Sequence, residues 1–94
     1  MSYSFCVVAT NKAEALSLVS VELDRVIAAQ PAHAADRAAA QAHAETMIGL
    51  LRDDPDMDVR VSVFGSIVAP TTGITQVSTG ADAMLWPRET VAAS

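Results

Sequence analysis

Residues 11–52 read NKAEALSLVSVELDRVIAAQPAHAADRAAAQAHAETMIGLLR, and this stretch decides the fold. Apolar residues recur at helical spacing on both sides of Pro31. Proline cannot donate a backbone hydrogen bond, and it disfavours a helical conformation in the residue before it. The stretch therefore predicts two helices that are broken near Pro31.

The first helix is predicted to begin at Asn11, because asparagine is a good N-cap and Glu14 follows three residues later, as in a capping box. Its buried stripe is predicted from residues at helical spacing, which are Leu16, Val19, Leu23, Val26 and Ile27. Leu18 and Val21 are predicted to lie on the polar side. There they are either isolated exposed residues or part of a second buried surface, such as a dimer or partner contact.

The second helix is predicted over residues 33–52. Eight of the thirteen residues from 32 to 44 are alanine, which favours helix and lets another backbone approach closely. One face is predicted to hold Ala40, Ala44, Met47, Ile48 and Leu51. A close-packed helical hairpin is the preferred interpretation.

Residues 3–10 alternate as a strand does, with Tyr3, Phe5, Val7 and Ala9 on one face. The opposite face, which includes Cys6 and Val8, is also partly apolar. The strand is therefore predicted to be central in its sheet. Cys6 is predicted to be a small buried hydrophobe, since nothing nearby in the sequence would activate it as a thiolate.

Residues 59–69 form the strongest predicted strand. Val59, Val61, Val63 and Ile67 share one phase, and the other phase holds Arg60, Ser62, Phe64, Ser66 and Val68. Gly65 is predicted to mark a bulge or a close approach. Residues 70–73 predict a turn, and residues 74–79 a strand that completes a hairpin. Whether residues 81–86 add a short last strand, ended by Pro87, is left open.

The elements predict an α+β fold in the order β-α-α-β-β, with a possible further strand. Two layers are expected: an antiparallel sheet of three or four strands, and a helical hairpin on one face. Residues 1–86 are predicted to form a single domain and residues 87–94 a frayed C-terminal tail. The uncovered sheet face would remain partly apolar and would suit association.

Composition argues against several classes of partner. The net charge is −5, with one lysine and five arginines, which argues against a surface that follows nucleic-acid phosphates or binds anionic membranes. No apolar run approaches the ~20 residues that span a bilayer, and no signal peptide is predicted. The single cysteine cannot form an internal disulfide, so a reducing compartment is expected.

Residues 53–58 read DDPDMD and raise a calcium hypothesis. An EF-hand loop needs glycine at its sixth position and glutamate at its twelfth. Counted from Asp54, those positions hold Val59 and Gly65. A solvated turn between helix and strand is the preferred interpretation.

Catalytic, metal and cofactor sites are not predicted. His33 and His43 are ten residues apart, whereas a helical zinc site needs two histidines about one turn apart. His43 is predicted to be half-buried, and His33 to cap the start of the second helix. Glu45 and Asp82 are the nearest candidates for acid–base work, but no carboxylate is predicted in an apolar context. The protein is therefore predicted not to be an enzyme and to need no cofactor.

Several stretches resemble small uncharacterised proteins of tailed phages and prophages of proteobacteria. The similarity lies in residues 2–5 (SYSF), 11–15 (NKAEA), 22–24 (ELD), 30–31 (QP), 33–37 (HAADR), 61–63 (VSV) and 65–66 (GS), and it weakens beyond Ile67. The resemblance implies a phage setting. That family carries no established activity, so no functional residue is transferred.

The sequence favours a non-enzymatic protein-binding module, and the resemblance implies that it acts in the host cytoplasm, with inhibition of a host defence protein as a candidate role. Its partner is predicted to be a protein or a second copy of the chain, with no nucleic acid and no membrane. The candidate surface comprises Leu18, Val21, Phe64, Val68 and Trp86. The alternative is a structural or accessory component of the virion, in a head or tail assembly. A small enzyme is the third class, and a cleft that joined Cys6 to His43 would favour it.

Overall fold

The chain folds in the order β-α-α-β-β in the computed structural model, which describes residues 2–68 and 76–88. A short 3₁₀ helix, Pro31–Ala35, joins the two α-helices. The main elements are β1 (Ser2–Ala9), α1 (Lys12–Ala29), α2 (Arg37–Gly49), β2 (Met57–Val68) and β3 (Gln76–Pro87). The predicted α+β architecture, with its antiparallel sheet and helical pair, is confirmed.

The described sheet has three strands in the order β1-β2-β3, and both pairs are antiparallel. Both helices pack on one face. We call the other face the open face; its residues are Ser2, Ser4, Cys6, Val8, Asp58, Arg60, Ser62, Phe64, Ser66, Val68, Ser78, Gly80, Asp82, Met84 and Trp86. The prediction that β1 is central is wrong, because β1 is an edge strand. Its apolar outward side chains belong to the open face and do not reflect a second neighbouring strand.

Helix α1 begins as the sequence predicts. The Asn11 side chain accepts a hydrogen bond from the Glu14 backbone N–H at 2.8 Å. The Glu14 carboxylate returns to Thr10, whose backbone N–H and hydroxyl donate to it at 3.4 and 3.1 Å. The reciprocal bond of the capping box is thus made one residue before the cap, and it ties the end of β1 to the start of α1.

The helices are broken at Pro31, as predicted, but α2 is shorter than the predicted 33–52. Residues 31–35 form the 3₁₀ helix, in which His33 N–H donates to Gln30 C=O at 3.0 Å and Asp36 N–H to His33 C=O at 3.2 Å. At the start of α2, Arg37 donates to the Asp24 carboxylate and to the Ser20 hydroxyl of α1, both at 2.9 Å. These bonds tie the two helices into a hairpin.

The core lies between the hairpin and the inward face of the sheet. Its buried members are Val7, Ala9, Ala15, Val19, Leu23, Ala40, Ala44, Ile48, Val59, Val61 and Val63. Of the predicted stripe on α1, Leu16, Val26 and Ile27 are only half-buried. The prediction that Leu18 lies away from the core is wrong, because Leu18 is half-buried and packs against it. The buried line on α1 passes through Ala15, so Leu16 and Leu18 flank it on both sides.

Strand β3 continues without interruption through Gly80. The sequence predicts a strand that ends at residue 79 and leaves a further strand at 81–86 open; residues 76–87 form a single strand, which ends at Pro87 as predicted. Gly80 pairs with Phe64, whose ring lies over it: a Cβ at position 80 would come within 2.7 Å of Phe64 Cε1. Glycine therefore makes room for the ring while the ladder continues. The predicted turn at 70–73 and residues 74–75 lie outside the described residues.

Gly65 marks a close approach and not a bulge, since the β1–β2 register runs through it without a gap. The Tyr3 ring covers Gly65, and a Cβ there would lie 2.6 Å from Tyr3 Cζ. That ring also meets His33 edge-on, with 4.7 Å between the ring centroids. The ring therefore has little freedom to retreat.

Gly65→Ala is expected to lower the free energy of unfolding by about 1–2 kcal/mol, because it forces the Tyr3 ring off its packed position. Gly80→Ala is the matched control. It should cost under about 0.5 kcal/mol, since the ring of Phe64, 50% exposed, can rotate into solvent. Urea titration followed by circular dichroism measures both. Equal costs at the two positions would contradict this account of Gly65.

Arg88 fastens the end of β3 to the rest of the chain. Its guanidinium donates to the Asp58 carboxylate at 2.8 Å, to Pro55 C=O at 3.0 Å and to Thr10 C=O at 3.1 Å. The prediction that the frayed tail includes Arg88 is therefore wrong. Residues 89–94, the remainder of the predicted tail, lie outside the described residues.

Candidate functional site

The open face exposes five large apolar side chains. Val8 is 49% exposed, Phe64 50%, Val68 51%, Met84 45% and Trp86 42%. Cys6, on the same face, is also exposed, so the prediction that it is a small buried hydrophobe is wrong. The predicted partly apolar face is confirmed, and β3 adds Met84 to the residues predicted for it.

The strand register divides the open face into two apolar ends and a polar middle. Three residues that lie opposite one another, Cys6, Ser62 and Asp82, form the middle row. One end holds Val8, Met84 and Trp86 around Arg60, and the other holds Phe64 and, beyond the row that contains Ser66 and Ser78, Val68. The surface is therefore apolar at both ends and hydrogen-bonding between them.

Two charged groups on this face have no ion-pair partner among residues 2–68 and 76–88. The Arg60 guanidinium lies 4.3 Å from the centre of the Trp86 ring, and its buried Nε has no hydrogen-bond partner there. Within the described part of the chain, the Asp82 carboxylate accepts only the N–H of Ala83, at 2.9 Å. Asp58, by contrast, is bound by Arg88. Arg60 and Asp82 are thus the charges that remain free to orient a partner.

The five predicted surface residues do not form one site. Phe64, Val68 and Trp86 lie together on the open face. Val21 is 52% exposed but lies on α1, in the helical layer on the other side of the sheet. Leu18 is in the same helix and is partly covered by the core.

A buried polar cluster lies on the 3₁₀ helix, beside Tyr3 of β1. His33 is 1% exposed and Asp36 3%. His33 Nε2 is 2.9 Å from Gln30 Oε1, and His33 Nδ1 is 3.4 Å from Asp36 Oδ2. Asp36 is therefore a buried carboxylate that the sequence did not indicate, and it lies among polar partners. His33 also does not act as a side-chain cap for α2.

The cluster was missed because the alanine-rich stretch was interpreted as regular α-helix. Gln30, His33 and Asp36 are spaced by three residues, and a 3₁₀ helix places such residues on one side. Both His33 ring nitrogens lie within hydrogen-bonding distance of a side chain in this cluster. The ring is sealed from solvent, which suits a structural role better than catalysis. His43 is exposed and not half-buried as predicted, and Glu45 and Asp82 are exposed too.

Tyr3 closes the cluster, and its hydroxyl is buried without a hydrogen-bond partner in the described chain. Burial, followed by the negative charge of Asp36, raises the pKa of Tyr3 above its ordinary value of 10.0. The neutral phenol is therefore favoured in the folded state. Its contribution to stability is present in full below pH 10.0 and is lost as the pH rises through the higher folded-state pKa.

Tyrosinate absorbance tests this directly, because Tyr3 is the only tyrosine. We expect a titration midpoint above pH 10.0 in the folded protein and close to it in urea. Tyr3→Phe should remove the corresponding loss of stability at high pH. Identical midpoints in the folded and unfolded chain would contradict the buried environment of the hydroxyl.

A shallow groove of about 230 Å³ lies where α1 begins, beside the loop between α2 and β2. Its basic groups are paired, with Lys12 3.5 Å from Asp53 and Arg52 3.3 Å from Asp54. Asp54 also accepts the N–H of Asp56 at 3.0 Å. The aspartate segment is thus a turn between helix and strand, as predicted, and the groove offers no unpaired charge among its described basic residues.

Comparisons with protein-family models, with curated proteins and with solved structures returned no match. Across the described ranges, no three His, Cys, Asp or Glu residues are grouped so that they could hold a metal ion. No helix within those ranges is long and apolar enough to cross a membrane. The open face is therefore the surface from which function is inferred.

Proposed function

We propose that this chain is a non-enzymatic protein-binding module whose binding surface is the open face. The observation that carries the proposal is the concentration of five large apolar side chains, each 42–51% exposed, on the sheet face opposite the helices. Single exposed apolar residues are common on monomers, but five on one face of a sheet, with polar groups between them, are typical of an interaction surface.

The composition of the face supports protein recognition. Trp86 and Arg60 belong to the residue types that carry most binding energy when a partner removes them from water. Their contact at 4.3 Å holds the two side chains together before binding. Arg60 and Asp82 would fix the orientation of the partner, because unpaired charges favour a complementary surface.

A catalytic role has less support. The combination that most resembles acid–base machinery, His33 with Asp36, is 1% and 3% exposed and bonded within the 3₁₀ helix. The net charge of −5 also favours a protein partner over nucleic acid or an anionic membrane. We therefore propose no cofactor and no chemical step.

The setting is proposed from the sequence resemblance to phage proteins. In that setting the module would act in the host cytoplasm, where its target would be a host protein such as a defence factor. The second candidate is a component of the phage virion. It is favoured by the edge strands β1 and β3 together with the open face, which allow repeated contacts in an assembly. Mass spectrometry of purified particles tests it, since absence from the particle would exclude this candidate.

Site-specific photo-crosslinking tests the binding surface. A photoreactive amino acid is placed at Ser62, in the middle of the open face, or at Ala39, exposed on α2. We expect the photoreactive group at position 62 to form covalent adducts with a protein chain that mass spectrometry identifies. The additional substitution Phe64→Ser should abolish these adducts. Adducts at Ser62 no more abundant than those at Ala39 would contradict the proposed function.

A further inference from the structure

We infer that the occupant of the open face is a second copy of this chain, packed sheet against sheet about a two-fold axis that runs across the strands. The inference rests on the proposed function, because it names the partner of the same surface. It follows from the arrangement of the face, which is apolar at both ends, polar in the middle, and carries one unpaired cation beside one unpaired carboxylate.

The register shows how the two ends meet. The axis would run between the row that contains Arg60 and the row that contains Ser62. Each strand then lies antiparallel over the same strand of the partner. The row of residues that contains Phe64 lies over the row that contains the partner's Trp86. Because the contact is isologous, each aromatic contact and each polar contact occurs twice.

The charges on the face complement one another under the same operation. Arg60 is opposite Met84 and Asp82 is opposite Ser62, so Arg60 and Asp82 are diagonal neighbours of opposite charge. Within one chain they form no ion pair in the described structure. In the pair of chains, the Arg60 row lies over the Ser62 row, which brings each Arg60 beside the partner's Asp82. Two intermolecular ion pairs result.

The size of the overlap limits the contact to a weak dimer. Strands of 12, 12 and 8 residues, at ~3.3 Å per residue and ~4.8 Å between strands, present about 500 Å² per chain. The axis lies nearer one end of the strands, so only residues 5–9, 57–65 and 79–87 face the partner, and two copies would bury about 700 Å² of sheet area, less than the ~1,000 Å² of a stable specific interface. Sheets that pack in this aligned way lie about 10 Å apart, which leaves room for the aromatic side chains. A dissociation constant in the micromolar range is expected.

The test is a charge exchange followed by sedimentation equilibrium. Arg60→Asp gives each homodimer two aspartate–aspartate contacts, and Asp82→Arg gives each two arginine–arginine contacts. Each variant alone should dimerise about tenfold more weakly than wild type. An equimolar mixture has two attractive pairs per heterodimer and should recover wild-type affinity to within about twofold. Glu45→Arg, at an exposed position on α2, is the matched control and should change nothing.

The same two chains are measured alone and together. Any effect of a substitution on folding, or on the contact between residue 60 and Trp86, is therefore present in both measurements. Circular dichroism checks that each is folded. A mixture no tighter than its components, or a wild type that is monomeric at about 1 mM, overturns the inference. If the wild type is monomeric but Ser62 still crosslinks to another protein, only the choice of partner is wrong. If Ser62 yields no specific adduct either, the proposed function is wrong as well.

Discussion

Replacing His33 with leucine is expected to lower the free energy of unfolding by about 3 kcal/mol. The ring is 1% exposed and bonds to Gln30 and Asp36. Its loss leaves the Asp36 carboxylate, 3% exposed, buried without its partner, and an uncompensated buried charge is strongly destabilising. Urea unfolding followed by circular dichroism measures the change.

The double variant His33→Leu with Asp36→Leu separates this explanation from loss of packing. If the two side chains act as a pair, the double variant should cost at least about 1 kcal/mol less than the sum of the single variants. His43→Leu is the matched control and should change stability by under about 0.5 kcal/mol, because His43 is exposed. Additive single effects would show that the two side chains contribute independently.

Leu23→Ala is expected to lower the free energy of unfolding by about 3 kcal/mol. Leu23 is 2% exposed and lies in the line on α1 that also buries Ala15 and Val19 against the sheet. Truncation removes apolar contacts and leaves a cavity in a core with few large side chains. Thermal and urea unfolding report the loss.

Val21→Ala is the matched control in the same helix. Val21 is 52% exposed, so the substitution should cost under about 0.5 kcal/mol. A cost near that of Leu23→Ala, and one that depends on protein concentration, would mean that the outer side of α1 is buried against a second chain. The partner surface would then lie on the helical layer, as the alternative interpretation of Leu18 and Val21 held.

Local signals in the sequence determined much of the fold. The cap at Asn11 and the break at Pro31 act within a few residues, and strand alternation assigns faces without knowledge of the partner strand. Whether β1 lies at the edge or at the centre of the sheet could not be obtained from these local signals. The outward residues of β1 are apolar because the open face is apolar, and the sequence alone does not separate that cause from burial in a central strand.

The candidate site was predicted only in part. Phe64, Val68 and Trp86 were identified, but Met84 joins them because β3 pairs with β2 in a register that a sequence does not specify. The buried cluster around His33 was missed because eight alanines in thirteen residues suggest regular α-helix. Side chains that bond at a spacing of three favoured the 3₁₀ path there instead.

The central claim is that the open face is covered by protein in the working state, and the reactivity of Cys6 tests it most directly. Cys6 is the only cysteine and is exposed on that face. The comparison is a Cys6→Ser chain that carries Val21→Cys in the helical layer. The maleimide reaction rate of Cys6 should fall as protein concentration rises into the micromolar range, while the rate at position 21 stays constant. A constant rate at Cys6 across that range, with or without partner proteins from its host, would contradict the claim.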